Sequence, residues 1–302
     1  MTKRIHTLTP LVGGAACNAR CQFCIAGMTP LNTISSTATA LNTAEFARVC
    51  QYALAHDAAS LLYTSKGEPT LWPDQLTEYL QVSSRFAFPS VELQTNGIPI
   101  ADAKKVNDSH LKEWRRLGLS MVAISITSYD AEKNHKTYLP YRSQYIDLPK
   151  LIAKLHGHGL QVRLACVMVR GNVDSPAELD KLMAFAGANE VEQLTVRPVN
   201  KPAVSRDDKI TVWISNNYLL DDQKQALVAH LDSNGTLLKK LPWGGRIYDV
   251  NGQNVCYTNS LTKDDDADVG RQLIFFPDGF VSDSWENNSQ SLDDFKKNEE
   301  QA

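Results

Sequence analysis

The sequence lacks the features of a secreted or membrane-spanning protein. Its N-terminus has no continuous apolar run of the signal-peptide kind, and no segment reaches the roughly eighteen consecutive apolar residues of a transmembrane helix. The formal net charge is −3 over 302 residues, so the chain also lacks the positive excess that drives nucleic-acid binding. We therefore expect a cytoplasmic protein that does not bind a membrane, and we do not expect a nucleic-acid substrate.

Cysteine is scarce, but three of the six cysteines fall within eight residues of a Gly-rich stretch: Cys17, Cys21 and Cys24. No fourth Cys or His stands beside them, so one coordination position of a bound metal centre would stay open. A [4Fe–4S] cluster normally takes four Cys thiolates. A three-Cys loop therefore fits a cluster in which protein thiolates bind three of the irons and a small molecule binds the fourth.

These cysteines have two alternative uses. A structural zinc site is closed by four ligands, and the only distant candidates for the fourth are His6, Cys50 and His56. A disulfide is disfavoured because a chain without a secretion signal is expected in a reducing compartment.

The spacing C-x3-C-x2-C, with the aromatic Phe23 just before the last cysteine, resembles the radical S-adenosylmethionine (SAM) superfamily. In that superfamily the fourth iron binds the amino and carboxylate groups of SAM. One electron from the cluster then cleaves SAM to a 5′-deoxyadenosyl radical, which abstracts hydrogen from the substrate. The resemblance implies one [4Fe–4S] cluster on Cys17, Cys21 and Cys24, SAM as the second cofactor, and a one-electron reductant such as flavodoxin or ferredoxin.

Short β-branched runs alternate with helical patterns, which indicates parallel βαβ units and an α/β fold. Strands are predicted near residues 4–12, 60–66, 90–96, 120–127, 161–169 and 193–199, and helices near 43–57, 74–86, 101–117, 145–157 and 175–188. A full eight-unit barrel takes about 250 residues, so residues 1–200 suit a partial (β/α)6 TIM-like barrel. The superfamily commonly has this open barrel. A doubly wound sheet is the alternative, although no G-x-G-x-x-G follows the first strand.

Beyond the barrel, residues 201–286 are predicted to form a small C-terminal α+β extension that covers it, and residues 287–302 a polar, disordered tail. The hairpin around Asp278-Gly279 resembles that of the SPASM and Twitch extensions, in which a Cys normally follows the Gly. Here none follows, so we expect a single cluster per chain. Cys256, the one cysteine past the barrel, is interpreted as buried filler, as a hydrogen-atom donor to a substrate radical, or as a stray ligand.

Motifs that follow the predicted strands resemble SAM-binding segments of the superfamily. Lys66-Gly67-Glu68-Pro69 is similar to its Gly-Gly-Glu-Pro stretch, whose backbone and Glu carboxylate grip the SAM ammonium group, and Lys66 replaces the first Gly. Asn96 belongs to a Thr-Asn-Gly turn common in the superfamily. Ser125 lies at the end of a strand that resembles a Ser-containing segment of the superfamily. The Ser of that segment often contacts the SAM ribose or carboxylate.

Two arginines on the last predicted strands are candidates for binding an anion. Alternation places Arg163 and Cys166 on opposite faces of their strand. If Arg163 points inward, where it could pair with the SAM carboxylate, Cys166 packs outward against the helices. Arg197, on the next strand, is a second candidate for an anion of SAM or of the substrate.

The expected function is that of a radical SAM enzyme acting on a small polar metabolite such as a nucleoside or sugar, because the predicted barrel lumen is polar. One alternative is modification of a peptide or protein, including activation of a glycyl-radical enzyme. An alternative of a different class is a non-catalytic iron–sulfur or zinc-binding module.

Overall fold

The structure is a computed structural model that describes residues 4–241, 244–258 and 269–301. The strands of these residues are β1 Arg4–Pro10, β2 Ser60–Tyr63, β3 Ser90–Thr95, β4 Met121–Ile126, β5 Gln161–Met168, β6 Gln193–Pro198, β7 Thr236–Lys240, β8 Arg246–Val250, β9 Gln253–Tyr257, β10 Val269–Phe275 and β11 Val281–Ser282. They form one sheet in the order β11-β10-β1-β2-β3-β4-β5-β6-β9-β8-β7.

The first six strands pair in parallel, each with the next along the chain. This simple order is that of a barrel wall, whereas a doubly wound sheet reverses its order at a switch point. The predicted α/β partial barrel is confirmed, and its six strands agree with the predicted positions to within a few residues.

Helices connect these strands, as parallel pairing requires. Those of the first 190 residues are α1 Ile25–Met28, α2 Thr43–Ala55, α3 Pro73–Ser83, α4 Ile98–Asp102, α5 Asp108–Arg116, α6 Ala131–Tyr138, α7 Leu148–Gly157 and α8 Pro176–Ala188. The sequence predicted one helix over residues 101–117, but the chain leaves α4 at Ala103, whose φ of +54° is left-handed. Helix α6 had no counterpart among the predicted elements.

Alternate residues of the strands pack outward against the helices and form the main hydrophobic core. Leu93, Val122, Leu164 and Leu194 belong to this core and are fully buried. Cys166 lies on the same outward face and is also fully buried, as predicted. Because side chains alternate along a strand, the residues between these face the lumen of the barrel.

The C-terminal third lengthens the sheet at both edges. It contains helices α9 Asp208–Asn217, α10 Asp221–Asn234 and α11 Leu292–Gln301 together with the last five strands. Strand β9 pairs in parallel with β6, while β10 pairs in parallel with β1 from the opposite edge. The sequence predicted a separate extension over residues 201–286, whereas the structure adds these strands to the barrel wall itself.

The C-terminal residues form a helix where the sequence predicted a disordered tail. In α11, Leu292 and Phe295 are buried against the rest of the chain. Arg48 of α2 also pairs with Asp293, at 2.9 Å. Two apolar residues three apart give a short helix one buried edge, a signal too brief to stand out in a polar segment. Within the described residues, none of the helices is both long and apolar enough to span a bilayer.

Candidate active site

The cysteine loop (residues 13–24) follows β1 at the carboxyl ends of the strands, where barrel enzymes place their chemistry. The loop after β2 holds it from one side. The backbone N–H of Glu68 donates to the carbonyl of Ala16 at 3.1 Å, and the hydroxyl of Ser65 donates to the carbonyl of Gly14 at 3.1 Å. Gly67 packs so tightly here that a Cβ on it would lie 2.1 Å from the Ala16 carbonyl oxygen.

The end of α6 holds the cysteine loop from the other side. The Arg20 and Gln22 backbone N–H groups donate to the carbonyls of Tyr138 and Thr137, at 3.1 and 3.2 Å. The Tyr141 N–H donates to the carbonyl of Asn18 at 3.0 Å. The loop is therefore braced by backbone hydrogen bonds on two sides.

The backbone around the thiols of the cysteine loop can stabilise negatively charged sulfur atoms. Backbone N–H groups of Asn18 and Ala19 point at the Cys17 sulfur, and those of Ala26 and Gly27 point at the Cys24 sulfur. Burial raises the pKa of all three thiols, that of Cys17 to about 12. A bound metal centre would hold them as thiolates despite this burial, so the donor set fits an iron–sulfur cluster.

A single zinc ion fits the cysteines less well. Zinc needs its thiolates about 2.3 Å from one point, but within the described ranges no three His, Cys, Asp or Glu side chains are grouped closely enough to hold one metal ion. A cluster takes each thiolate on a different iron, which allows a wider spacing. Cys50, a distant candidate for the fourth zinc ligand, is fully buried in the main core instead.

Glu68 is buried, and its carboxylate is occupied by neighbouring donors. Its Oε1 accepts from the Thr70 N–H, the Thr70 hydroxyl and the Thr95 hydroxyl, at 3.0, 2.6 and 2.5 Å. Its Oε2 accepts from the Asn96 N–H at 2.8 Å. Burial raises the pKa of Glu68, and these hydrogen bonds oppose that shift. The resemblance implied that this carboxylate binds the SAM ammonium group. In the structure, its hydrogen bonds join the ends of β2 and β3.

Asn96 continues this connection to the cysteine loop. Its Nδ2 donates to the Oδ1 of Asn18 at 2.6 Å, and its Oδ1 accepts from the Ile98 N–H at 3.0 Å. The Thr-Asn-Gly turn that the sequence singled out therefore fixes the cysteine loop in place.

Phe23 and Ser125 meet at one tyrosine. The ring of Phe23 contacts Tyr138 edge to face, with centroids 5.2 Å apart. The Tyr138 hydroxyl donates to the hydroxyl of Ser125 at 2.8 Å. Phe23 and Ser125, which the sequence analysis identified separately, are thus linked by Tyr138, which it did not identify.

Tyr145 is a site residue that the sequence analysis missed. It is buried, its ring lies 5.8 Å from that of Tyr138, and it interacts electrostatically with Cys21 and Glu68. Its hydroxyl has no hydrogen-bond partner among the described residues. A buried hydroxyl without a partner is costly, so this atom suits a polar ligand beside the cysteines. No motif or spacing marks Tyr145 in the sequence.

Arg163 does face the lumen, but it is not free for a ligand. Its guanidinium reaches across β4 to the carboxylate of Glu92, at 2.5 Å. Arg163 is the third residue of β5, and five residues separate it from the carboxyl end of that strand. At about 3.3 Å per residue, the ion pair lies roughly 16 Å below that end. The structure therefore gives Arg163 a protein carboxylate as its partner, and we do not propose it as a contact of SAM.

Above this ion pair, small side chains line the lumen in one row. Strand pairing puts Ser125 beside Ala165, Ala165 beside Thr195, and Thr195 beside Cys256. Neighbours in register point to the same side of a sheet. Ser125, Thr195 and Cys256 are half-buried, whereas the outward residues next to them, such as Val255, are fully buried. The lumen is therefore accessible at this level.

Arg197 stands one row higher, beside Val167. It too is half-buried and faces the lumen, because its neighbour Val196 packs outward in the main core. The structure thus brings Ser125, Cys256 and Arg197 to one lumen.

Lys66, which departs from the resembled motif, is buried rather than turned to solvent. Its ammonium donates to the Thr29 hydroxyl at 2.9 Å and lies 4.8 Å from the centroid of the Trp285 ring. Burial and, to a smaller extent, Arg206 lower the pKa of Lys66 to about 8, while Cys24 opposes the shift. This side chain connects the loop after β2 to the C-terminal part of the chain.

Sequence comparison finds one family. A sequence model described as the Radical SAM superfamily matches residues 11–186, more than half of the chain. No curated protein matches the sequence closely enough to count as a relative.

Solved structures resemble the whole chain at low identity. SuiB from Streptococcus suis bound to S-adenosylmethionine matches with a TM-score of 0.61 and 12% identity, over 96% of this chain and 63% of that one. SuiB bound to its precursor peptide SuiA matches at 0.57 and 12%, over 96% and 62%. Methylornithine synthase (PylB) matches at 0.52 and 13%, over 99% and 82%. The chain thus spans less than two thirds of the length of SuiB, and at these identities the likeness shows the fold alone.

Proposed function

The chain belongs to the radical SAM superfamily, and from that premise we propose that it cleaves SAM reductively at one [4Fe–4S] cluster held by Cys17, Cys21 and Cys24. It is an enzyme of a superfamily whose members use SAM and such a cluster. We propose that its substrate is a small polar metabolite, such as a nucleoside or sugar, bound in the barrel lumen. The strongest support is the cysteine loop, where backbone N–H groups point at the sulfur atoms of two of the three thiols.

The bound cluster and SAM together would supply a 5′-deoxyadenosyl radical that abstracts a hydrogen atom from the substrate. The chain's own part is to hold, orient and shield these groups. Phe23 packs against Tyr138 beside the cysteines, where its ring excludes water from the cluster side of the lumen. Glu68 and Asn96 fix the loops that meet there, through the carboxylate and amide bonds described above.

For SAM itself we propose contacts from the backbone at Gly67, from Ser125 and from the hydroxyl of Tyr145. Gly67 lies directly against the cysteine loop, Ser125 faces the lumen, and the Tyr145 hydroxyl is a buried donor with no partner among the described residues. These groups border the same end of the lumen as the three thiols.

A small polar substrate is favoured by the row of Ser125, Ala165, Thr195 and Cys256. Short side chains leave room at this level, and their hydroxyl and thiol groups can bind polar atoms. The Arg163–Glu92 ion pair lies below the row and gives the lumen a polar floor.

A peptide or protein substrate is the second candidate, including activation of a glycyl-radical enzyme. It is favoured by one observation: SuiB bound to its precursor peptide shares the fold over 96% of this chain. A non-catalytic iron–sulfur or zinc module is the candidate of a different class, and it would form no 5′-deoxyadenosine.

Anaerobic reconstitution tests the proposed function. The protein should take up about four irons per chain and, once reduced by dithionite or by flavodoxin or ferredoxin, convert SAM to methionine and 5′-deoxyadenosine. Deuterium transfer from labelled candidate substrates into 5′-deoxyadenosine would then identify the substrate. A protein that binds a fully protein-ligated metal and leaves SAM intact would refute the function.

Replacing Tyr145 with phenylalanine should weaken SAM binding by about tenfold while leaving the fold at least as stable. The variant removes one hydrogen bond to the ligand, worth about 0.5–1.5 kcal/mol, and also removes a buried hydroxyl that lacks a partner in the described protein. Equilibrium binding of SAM and urea unfolding measure the two effects. Tyr141→Phe, at an exposed position of the same segment, is the control. Unchanged SAM affinity in Tyr145→Phe would exclude the contact.

We also propose Cys256 as the hydrogen-atom donor to the substrate radical. Burial raises its pKa, so the thiol keeps its hydrogen at neutral pH. The S–H bond would break as a C–H bond forms on the substrate, and one electron from the flavodoxin or ferredoxin class of reductant plus one proton would restore the thiol.

Cys256→Ser should therefore lose the product and keep 5′-deoxyadenosine formation, because hydrogen abstraction precedes the missing donation. Both compounds are measured by chromatography in single-turnover reactions. Cys166→Ser is the control, since that thiol packs outward from the lumen. Unchanged product formation in Cys256→Ser would leave this cysteine as packing only.

A further inference from the structure

We propose that Arg197 binds an acidic group of the substrate, a carboxylate or a phosphate, on the part of the lumen wall that also carries Cys256. This inference rests on the proposed function and adds the chemical class of its substrate. It follows from the position of Arg197, from the charges around it and from its place beside Cys256.

The side chain of Arg197 lies on the wall of the lumen. Arg197 lies on β6 in register with Val167 of β5, and its neighbour Val196 is fully buried in the main core. The guanidinium therefore faces the lumen, where the side chain keeps accessible surface. Cys256 lies on the next strand, β9, beside Thr195. A ligand held by Arg197 would have its next atoms one row lower, at the level of this thiol.

Arg197 has no counter-ion among the described residues. No carboxylate of these residues pairs with it, and the charged side chains that act on it are Arg271 and Arg163. The carboxylate of Glu92 is already paired with Arg163. Because arginine stays protonated in proteins, Arg197 places a positive charge in the described part of the lumen, although the chain carries a net charge of −3.

A bound anion would stabilise the positive charge of Arg197. A partly desolvated guanidinium without a counter-ion destabilises the folded state, and desolvation is the largest influence on the pKa of Arg197, which it lowers. A carboxylate or phosphate would offset this cost, because both accept two parallel hydrogen bonds from the guanidinium fork. A neutral sugar or nucleoside would not offset this desolvation cost.

We assign the anion to the substrate because Arg197 lies beside the proposed hydrogen-atom donor. Arg197 on β6 and Cys256 on β9 are on neighbouring strands, one row apart. The proposed SAM contacts at Gly67 and Ser125 belong to the loop after β2 and to β4, four and two strand spacings from β6. At about 4.8 Å per spacing, these are roughly 19 and 10 Å along the sheet. A hydrogen-atom donor acts on the substrate, so an anion held beside Cys256 is a group of the substrate.

Calorimetric titration of the reconstituted, SAM-bound protein tests the inference. Inorganic phosphate and acetate are titrated separately at constant ionic strength. Binding to Arg197→Gln should be about ten- to a hundredfold weaker than to the wild type, as expected when a charge-assisted hydrogen bond is lost. Arg197→Lys should lie between them, since it keeps the charge but not the fork. Tighter binding of phosphate or of acetate tells which acidic group the site prefers.

The control is Arg115→Gln, which removes an exposed arginine that donates to the Gly159 carbonyl at 2.9 Å. It should bind both anions like the wild type. Urea unfolding without anions should show Arg197→Gln to be at least as stable as the wild type, because it removes a partly buried charge. This separates loss of binding from loss of fold.

Two outcomes would overturn the inference: anion binding that is unchanged in Arg197→Gln, or a tenfold loss of SAM affinity in that variant, which would assign the SAM carboxylate to Arg197. A failure of the proposed function looks different. There the wild-type protein would leave SAM intact while its Arg197-dependent binding of phosphate or acetate persists.

Discussion

Replacing any one of Cys17, Cys21 or Cys24 with alanine should reduce the iron content from about four per chain to nearly none and should bring 5′-deoxyadenosine formation to the assay background. Two thiolates cannot retain a cluster that already lacks a fourth protein ligand. The loss should not reflect unfolding, because the backbone hydrogen bonds that brace the loop, such as that from Glu68 to Ala16, involve no thiol. Iron analysis after anaerobic reconstitution and SAM turnover measure the effect.

Cys50→Ala and Cys166→Ala provide matched controls within the same chain. Both thiols are fully buried and belong to the main core rather than to the cysteine loop. We expect them to keep their iron and their SAM cleavage and to lose about 1 kcal/mol of unfolding free energy, the usual effect of a core truncation. Loss of iron from Cys166→Ala to the same degree as from Cys21→Ala would contradict the assignment of ligands.

The barrel could be predicted from the sequence because its signals are local. Each βαβ unit repeats an apolar strand and a helical pattern within a few tens of residues, and alternation placed Cys166 and Arg163 on opposite faces of their strand. The extension of the sheet could not be predicted in this way. Strand β10 pairs with β1 across most of the chain length, as in the register of Leu273 with Leu8, and no local pattern reports such a pairing.

The site shows the same limit at the level of single residues. Sequence spacing located the cysteine loop and the turns at Gly67 and Asn96, since these motifs are contiguous. It could assign Arg163 to a face of its strand but not to its partner, because Glu92 lies two strands away. It could not find Tyr145, whose significance is a hydroxyl that the fold buries without a partner in the described residues.

Gly67→Ala should reduce SAM cleavage by about a hundredfold, because the added methyl group would have to displace the cysteine loop. Its Cβ would lie 2.1 Å from the Ala16 carbonyl oxygen and 2.7 Å from the Ala15 and Ala16 carbonyl carbons. These are backbone atoms, so no rotamer change can relieve the contact. Moving Cys17, the next residue, by about 1 Å is enough for a loss of this size.

Gly187→Ala is the matched control for Gly67→Ala. Residue 187 lies within α8, and a Cβ there would meet nothing within 4 Å, so this variant should keep full activity and gain up to about 1 kcal/mol from helix propensity. Gly67→Ala should instead lose about 1–3 kcal/mol in urea unfolding, as overpacked sites do. Wild-type cleavage rates in Gly67→Ala would mean that the position of the cysteine loop does not depend on this contact. A fall in cleavage far larger than the fall in stability would show that the contact acts by positioning Cys17.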